Sequence, residues 1–284
     1  MTTAVLRTLS MLYHLNPRWL YLAVTVVLIV PLMVTIPMPA TKDSRGPKGV
    51  YDMVGSCPTD KVVLIESSWD QGSKPECMSQ LECLVNDLCT RKKRFVVFST
   101  GVYAPTFANE VIKPIAQKAG YVYGTDWVNL GFIKPPADNM GVLIQSFFTD
   151  IHATRPVDLD GTALTNLPLM RSVRTSKDVH MVFAVTYCPW QEWISFGKGQ
   201  FGVPVAFGSA AIMGPYYYVF VDSGQLCGLF AGNRGAYEYE SLTGIRGMGS
   251  KMMMAFAFGL CFIIAAVVLG NIGFWASMRL RRMQ

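Results

Sequence analysis

Lys61-Val62-Val63-Leu64-Ile65-Glu66 runs directly into Ser67-Ser68-Trp69-Asp70-Gln71-Gly72. A short apolar, β-branched run closed by a polar loop reads as a buried strand entering a turn. Glu76 to Thr90 follows, with Cys77, Leu81, Leu84 and Leu88 on one helical face. Phe95 to Ser99 (FVVFS) repeats the first pattern and closes on Thr100-Gly101. Pro105 then opens a helix, as a first-turn proline does, and Gly120 stops it. Its inward face is expected to carry Val111, Ile115 and Ala119, with a kink at Pro114.

The alternation continues outward from this segment. A third strand is expected over Trp127–Phe132, and Asp138-Asn139 caps a helix carrying Met140, Ile144, Phe147 or Phe148, and Ile151. A loop over 154–176 leads to a fourth strand, Val179–Thr186, and a short helix, Trp190–Phe196. Val203–Phe207 is a fifth strand, and its Pro204 argues for an edge or a strand start. A Tyr-rich stretch beyond Gly214 and an amphipathic stretch, Gln225–Leu242, complete the region. Repeated strand–helix units with buried apolar strands predict an α/β domain over residues 57–245. Right-handed crossovers would make it a three-layer, Rossmann-like or flavodoxin-like, mainly parallel sheet.

Composition places this domain between two apolar ends. The chain has 284 residues, 51% hydrophobic and 15% charged, against about 25% charged in an average soluble protein. Mean hydropathy is +0.30. These values exclude disorder as a description of the whole. The excess is concentrated in residues 19–39 and 252–278, each read as a transmembrane helix of the roughly 20 residues a bilayer needs. Prolines 37 and 39 stand where a signal peptide would carry its small-residue cleavage site, so the first segment reads as a retained helix. Residues 1–18 form a short tail, 40–56 a linker and 279–284 a basic tail. In the second segment Gly259, Gly270 and Gly273 suggest a face for close helix packing.

Two crossings put both termini on one side. Cationic residues flanking the segments number five on the tails and five on the domain side, so the charge rule is nearly balanced. The Arg279-Leu280-Arg281-Arg282 tail tilts it towards cytoplasmic termini. Six of the seven cysteines (Cys57, Cys77, Cys83, Cys89, Cys188 and Cys227) lie in the central domain. That even number is compatible with disulfides and with an oxidising compartment outside the cytoplasmic membrane.

The region Gly224-Gln225-Leu226-Cys227-Gly228-Leu229-Phe230-Ala231-Gly232-Asn233-Arg234-Gly235-Ala236-Tyr237-Glu238-Tyr239-Glu240 is distinctive. So is Tyr123-Gly124-Thr125-Asp126-Trp127-Val128-Asn129-Leu130-Gly131-Phe132-Ile133-Lys134-Pro135. With the two apolar ends, these resemble a family of uncharacterised bacterial membrane proteins with one α/β domain between terminal transmembrane helices. The resemblance spans roughly residues 15–280 and implies the layout but no activity. The cysteine-rich segment from Cys57 to Cys89 departs from the family's pattern.

No G-x-G-x-x-G, Walker loop or G-x-S-x-G elbow occurs, so no cofactor is expected. The three histidines, His14, His152 and His180, form no metal-binding pair. Cys77, Cys83 and Cys89 recur every six residues, which turns successive sulfurs about 240° apart on a helix and precludes a shared ion. Asp158-Leu159-Asp160-Gly161 is read as an ordinary turn rather than a calcium loop. Arg91-Lys92-Lys93-Arg94 is read as a solvated turn, and no nucleic-acid module is present. Ligands of open α/β sheets bind outside the strands' carboxyl ends. The candidate ligand residues are therefore Ser67, Ser68, Asp70, Ser99, Thr100, Thr186, Tyr187 and Ser209. No histidine stands near them in sequence, so no complete catalytic set is expected. The leading expectation is a membrane-anchored, non-catalytic subunit whose partners are the lipid bilayer and other membrane subunits or itself. A small-ligand-binding or sensing domain is the alternative, and a membrane-tethered hydrolase or transferase the third reading.

Overall fold

The computed structural model describes residues 3–11, 13, 16–34 and 45–283. The chain divides into two compact units: Met1–Met38 with Ser250–Gln284, and Pro39–Gly249. In chain order the elements begin with α1 (Thr3–Met11), α2 (Pro17–Met33), α3 (Arg45–Ser56), β1 (Val62–Ser67) and α4 (Lys74–Thr90). They continue with β2 (Phe95–Ser99), α5 (Ala104–Lys118), β3 (Trp127–Phe132), α6 (Met140–Thr149), α7 (Ile151–Thr154) and α8 (Pro168–Ser172). Then come β4 (Val179–Val185), a π-helix (Trp193–Gln200), β5 (Val205–Ser209), α9 (Gly214–Asp222), β6 (Gly228–Ala231), α10 (Gly232–Thr243) and α11 (Met248–Arg281).

The larger unit is a six-stranded sheet in the order β3-β2-β1-β4-β5-β6. Every strand pairing is parallel. This differs from the 2-1-3-4-5 order of the flavodoxin-like alternative. All residues of β1, β2 and β5 are buried, which is why these strands read as continuous apolar runs instead of alternating. Val62, Leu64, Val96, Phe98 and Val182 pack on one face with residues of α6, α8 and the π-helix. Val63, Ile65, Val97, Met181 and Phe183 pack on the other with residues of α3, α4, α5 and α10. Full burial of one such side chain contributes about 1.5–3 kcal/mol.

Several expectations are corrected. Arg45–Ser56, read as linker, is helical; residues 40–44 lie outside the described residues. The glycines that suggested a loop serve close packing instead: a Cβ on Gly49 would lie 1.8 Å from the Cys227 carbonyl oxygen. Gln225–Leu242 is not one amphipathic element. It contains β6, whose four residues are too few to show a period, followed by α10. β5 is internal, between β4 and β6, and Pro204 stands just before it. On α5 the fully buried face is Ala108, Ile112 and Ala116, one residue from the expected set, which is half-buried beside it. Alanines there let the helix lie close to the sheet. The short helix expected over Trp190–Phe196 is the π-helix, shifted to Trp193–Gln200.

All seven cysteines are free, so none of the expected disulfides is present. Burial pushes the Cys77 and Cys89 thiols up to about 12, the behaviour of packed hydrophobes rather than reactive thiolates.

In the smaller unit, α11 is the one described helix long and apolar enough to cross a membrane, with 34 residues. The first apolar segment is shorter than expected. α2 has 17 residues, with Pro31 inside. Those residues rise about 26 Å, short of the roughly 30 Å hydrocarbon core. Residues 35–39 of that expected span lie outside the described residues, as does His14. A Cβ on Gly259 would lie 2.9 Å from Leu28 Cδ2, so this glycine accommodates the chain's own α2.

Candidate functional site

In a parallel sheet all strands end at one edge, and here the strand order reverses at β1, flanked by β2 and β4. The connections after β1 and β2 both leave towards the α4/α5 face, while those around β4 serve the other side. The result is a cleft of about 410 Å³ at the ends of β1, β2 and β4. Ser68, Asp70, Gly101, Tyr103, Phe107, Thr186 and Tyr187 are among its lining residues. Trp69 stacks on Phe107 at 5.4 Å and forms an apolar wall.

Two helices begin at this cleft. α4 starts with Pro75 and α5 with Pro105 in the first turn, and neither has a side-chain cap. The amides of Gly101 and Val102 have no partner among the described residues. They lie in the turn leading to the Tyr103 N-cap of α5, beside the partial positive charge of the helix start. The crevice is stitched from both strands: Ser68 N–H donates to the Val185 carbonyl (3.0 Å), and Thr186 Oγ1 donates to the Ser68 carbonyl (2.6 Å).

Beneath the cleft lies Glu66, fully buried at the end of β1. Ser68 Oγ and Thr100 Oγ1 each donate to Glu66 Oε1 at 2.9 Å. Trp193 Nε1 donates to Oε2 at 2.6 Å. Among the described residues no cation pairs with it. Burial pushes the Glu66 carboxyl above the usual carboxylate range, against those three donors. Thr100 N–H donates to Ser68 Oγ at 2.8 Å, which closes the network.

Of the expected ligand residues, the structure brings Ser68, Asp70, Thr186 and Tyr187 to the cleft, with Thr100 one bond behind Ser68. Asp70 is exposed at the rim, and the Ser73 amide and hydroxyl hold its carboxyl below the usual range. Ser67, Ser99 and Ser209 are buried away from it. Ser67 Oγ accepts from Trp69 Nε1, Ser209 Oγ donates to the Ala210 carbonyl, and Ser99 Oγ has no partner among the described residues. Sequence reasoning missed Glu66 and Trp193. A carboxylate closing an otherwise apolar central strand was the available signal for Glu66. Trp193 arrives from 127 residues away, and nothing local marks it. Asp158 anchors its own turn, accepting from the Asp160 and Thr162 amides.

No protein family, curated protein or solved structure matches this chain.

Proposed function

We propose that this chain is a membrane-attached α/β domain that binds a small polar molecule in the cleft at the ends of β1, β2 and β4. The observation that carries this reading is the coincidence of the cleft with the reversal of a Rossmann-like strand order. Such reversals part the loops on either side, so a crevice forms without any special residue. Here the crevice also holds unpaired amides, the Ser68 and Thr186 hydroxyls, and an aromatic wall, which suits a ligand with one polar and one apolar end. Attachment rests on α11; a second crossing by residues 19–39, cytoplasmic termini and an external α/β domain belong to the same proposal.

Contact with other membrane subunits is the second reading. It is favoured by Gly270, where a Cβ would have nothing within 4 Å, so that face of α11 is open.

The binding proposal is tested on the full chain in detergent micelles by thermal unfolding with inorganic phosphate, acetate, a nucleoside monophosphate and a short-chain ester. At least one should raise the wild-type Tm by mass action. Gly101→Leu should abolish that rise, because a Cβ there meets only Ala104 Cβ at 3.4 Å and the longer side chain enters the cleft. No response to any of them, or an equal response in the variant, overturns the assignment.

A further inference from the structure

The two described histidines offer no base to the cleft: His152 Nε2 is held by the Met170 and Val173 carbonyls, and His180 Nε2 by the Met53 carbonyl. Asp70 accepts from the Ser73 hydroxyl at the exposed rim; the buried carboxylate that reaches a cleft hydroxyl is Glu66. Its carboxylate sits 2.9 Å from Ser68 Oγ, fixed from the opposite side by Trp193. We propose that Ser68 is a nucleophile and Glu66 its general base, making the cleft a site of hydrolysis of small acyl esters. This rests on the reading of the cleft as a ligand site.

Three features support it. A nucleophile needs a base within hydrogen-bond reach and a third group that orients the base. Ser68, Glu66 and Trp193 have that relation. Second, a fully buried carboxylate without a cation is a costly way to tie two strand ends, and Thr100 already bonds Ser68 directly. Groups so placed beside a cleft are candidates for chemistry. Burial raises the carboxyl's proton affinity and so strengthens it as a base. Third, the Gly101 and Val102 amides, in the turn just before the Tyr103 N-cap of α5, offer donors for a developing oxyanion. The cleft's size and its wall of Trp69 and Phe107 select a short acyl group.

The chemistry balances with water as the only co-reactant. Ser68 Oγ bonds to the ester carbonyl carbon as its proton passes to Glu66 Oε1, and the carbonyl electron pair moves to oxygen. Collapse breaks the bond to the alcohol oxygen, which takes the proton from Glu66. Water then attacks the acyl-serine, gives a proton to Glu66, and Ser68 Oγ leaves with that proton.

The test is labelling of the full chain in detergent micelles by a fluorophosphonate, which loses fluoride to an attacking serine. The adduct, located by mass spectrometry, should fall on Ser68 and vanish in Ser68→Ala. Glu66→Gln should slow labelling about 100-fold, the lower end of general-base contributions. The wild-type rate should rise with pH to a plateau, with its midpoint above the ordinary carboxylate range. If Glu66→Gln does not fold, the pH profile and Ser68→Ala decide. An adduct elsewhere, no adduct, or a pH-independent rate overturns the dyad. A thermal response to any of the four probes with no adduct sinks the dyad alone; no adduct and no thermal response to any of them sinks the binding reading too.

Discussion

At the amino edge of the sheet, four consecutive cations each reach a defined acceptor. Arg91 Nε donates to Asp87, Lys92 Nζ to the Ala119 carbonyl, Lys93 Nζ to the Cys57 carbonyl and Arg94 Nη2 to the Thr59 carbonyl. At the carboxyl edge the equivalent loops carry hydroxyls, glycine and the Asp70 carboxylate, and the Gly101 and Val102 amides have no partner among the described residues. The two edges differ because a parallel strand–helix unit sends every helix end of one polarity to one edge. Carbonyls gather where strands begin, and amides gather where strands end. Lys92 lies at the end of α5 and Lys93 near the end of α3, where cations complement the helix dipole. The dense charge run is therefore internal fastening. The carboxyl edge is the one whose donors are left open among the described residues.

The comparison breaks most readily at Trp193. Its indole is fully buried and is also one of the three donors to Glu66. Trp193→Ala should cost about 3–5 kcal/mol as a large-to-small core change. Trp193→Phe keeps most of the volume but removes the N–H, and should cost about 1–3 kcal/mol. Urea unfolding of the full chain in micelles measures both. A Trp193→Phe cost near zero beside a full Trp193→Ala cost would mean that packing alone matters and that the carboxyl edge holds no special polar group.

The next effect is a pH dependence. The folded chain keeps Glu66 protonated to higher pH than the unfolded chain does. The folded state thus binds more protons over the window between the two values, and stability falls as pH rises through it. Below the unfolded carboxylate value the penalty is absent; above the folded one it is complete. Glu66→Gln lacks this dependence, whereas Asp70, with its lowered value, contributes the opposite slope to both proteins. The unfolding midpoint of wild type minus that of Glu66→Gln should therefore shift in favour of wild type as pH falls. A constant difference would place Glu66 in an environment like that of a surface carboxylate.

Much of this was legible in the chain. β2 and β3 stand where the apolar runs placed them, because strands buried on both faces leave continuous β-branched or aromatic stretches. The cleft edge was legible too, since strand ends alone locate it. α3 was not, because Gly46, Pro47 and Gly49 carry every local mark of a loop while their reason is contact with β6, some 180 residues away. Glu66 was visible as a residue but not as a problem. Its significance is burial without a cation, and that depends on Thr100 and Trp193 arriving from other elements.

The smallest effect sharpens the other side of the comparison. Lys93 Nζ donates to the Cys57 carbonyl, next to the end of α3. Lys93→Met keeps most of the apolar stem and removes the donor, so it should cost about 0.5–1.5 kcal/mol. The same variant should leave any thermal response to phosphate, acetate, nucleotide or ester unchanged, because its bond lies at the opposite edge from the cleft. A neutral substitution that left stability intact but removed a response to anions would reverse the assignment. The amino edge would then be the binding surface, and the basic run would have to be read as a site after all.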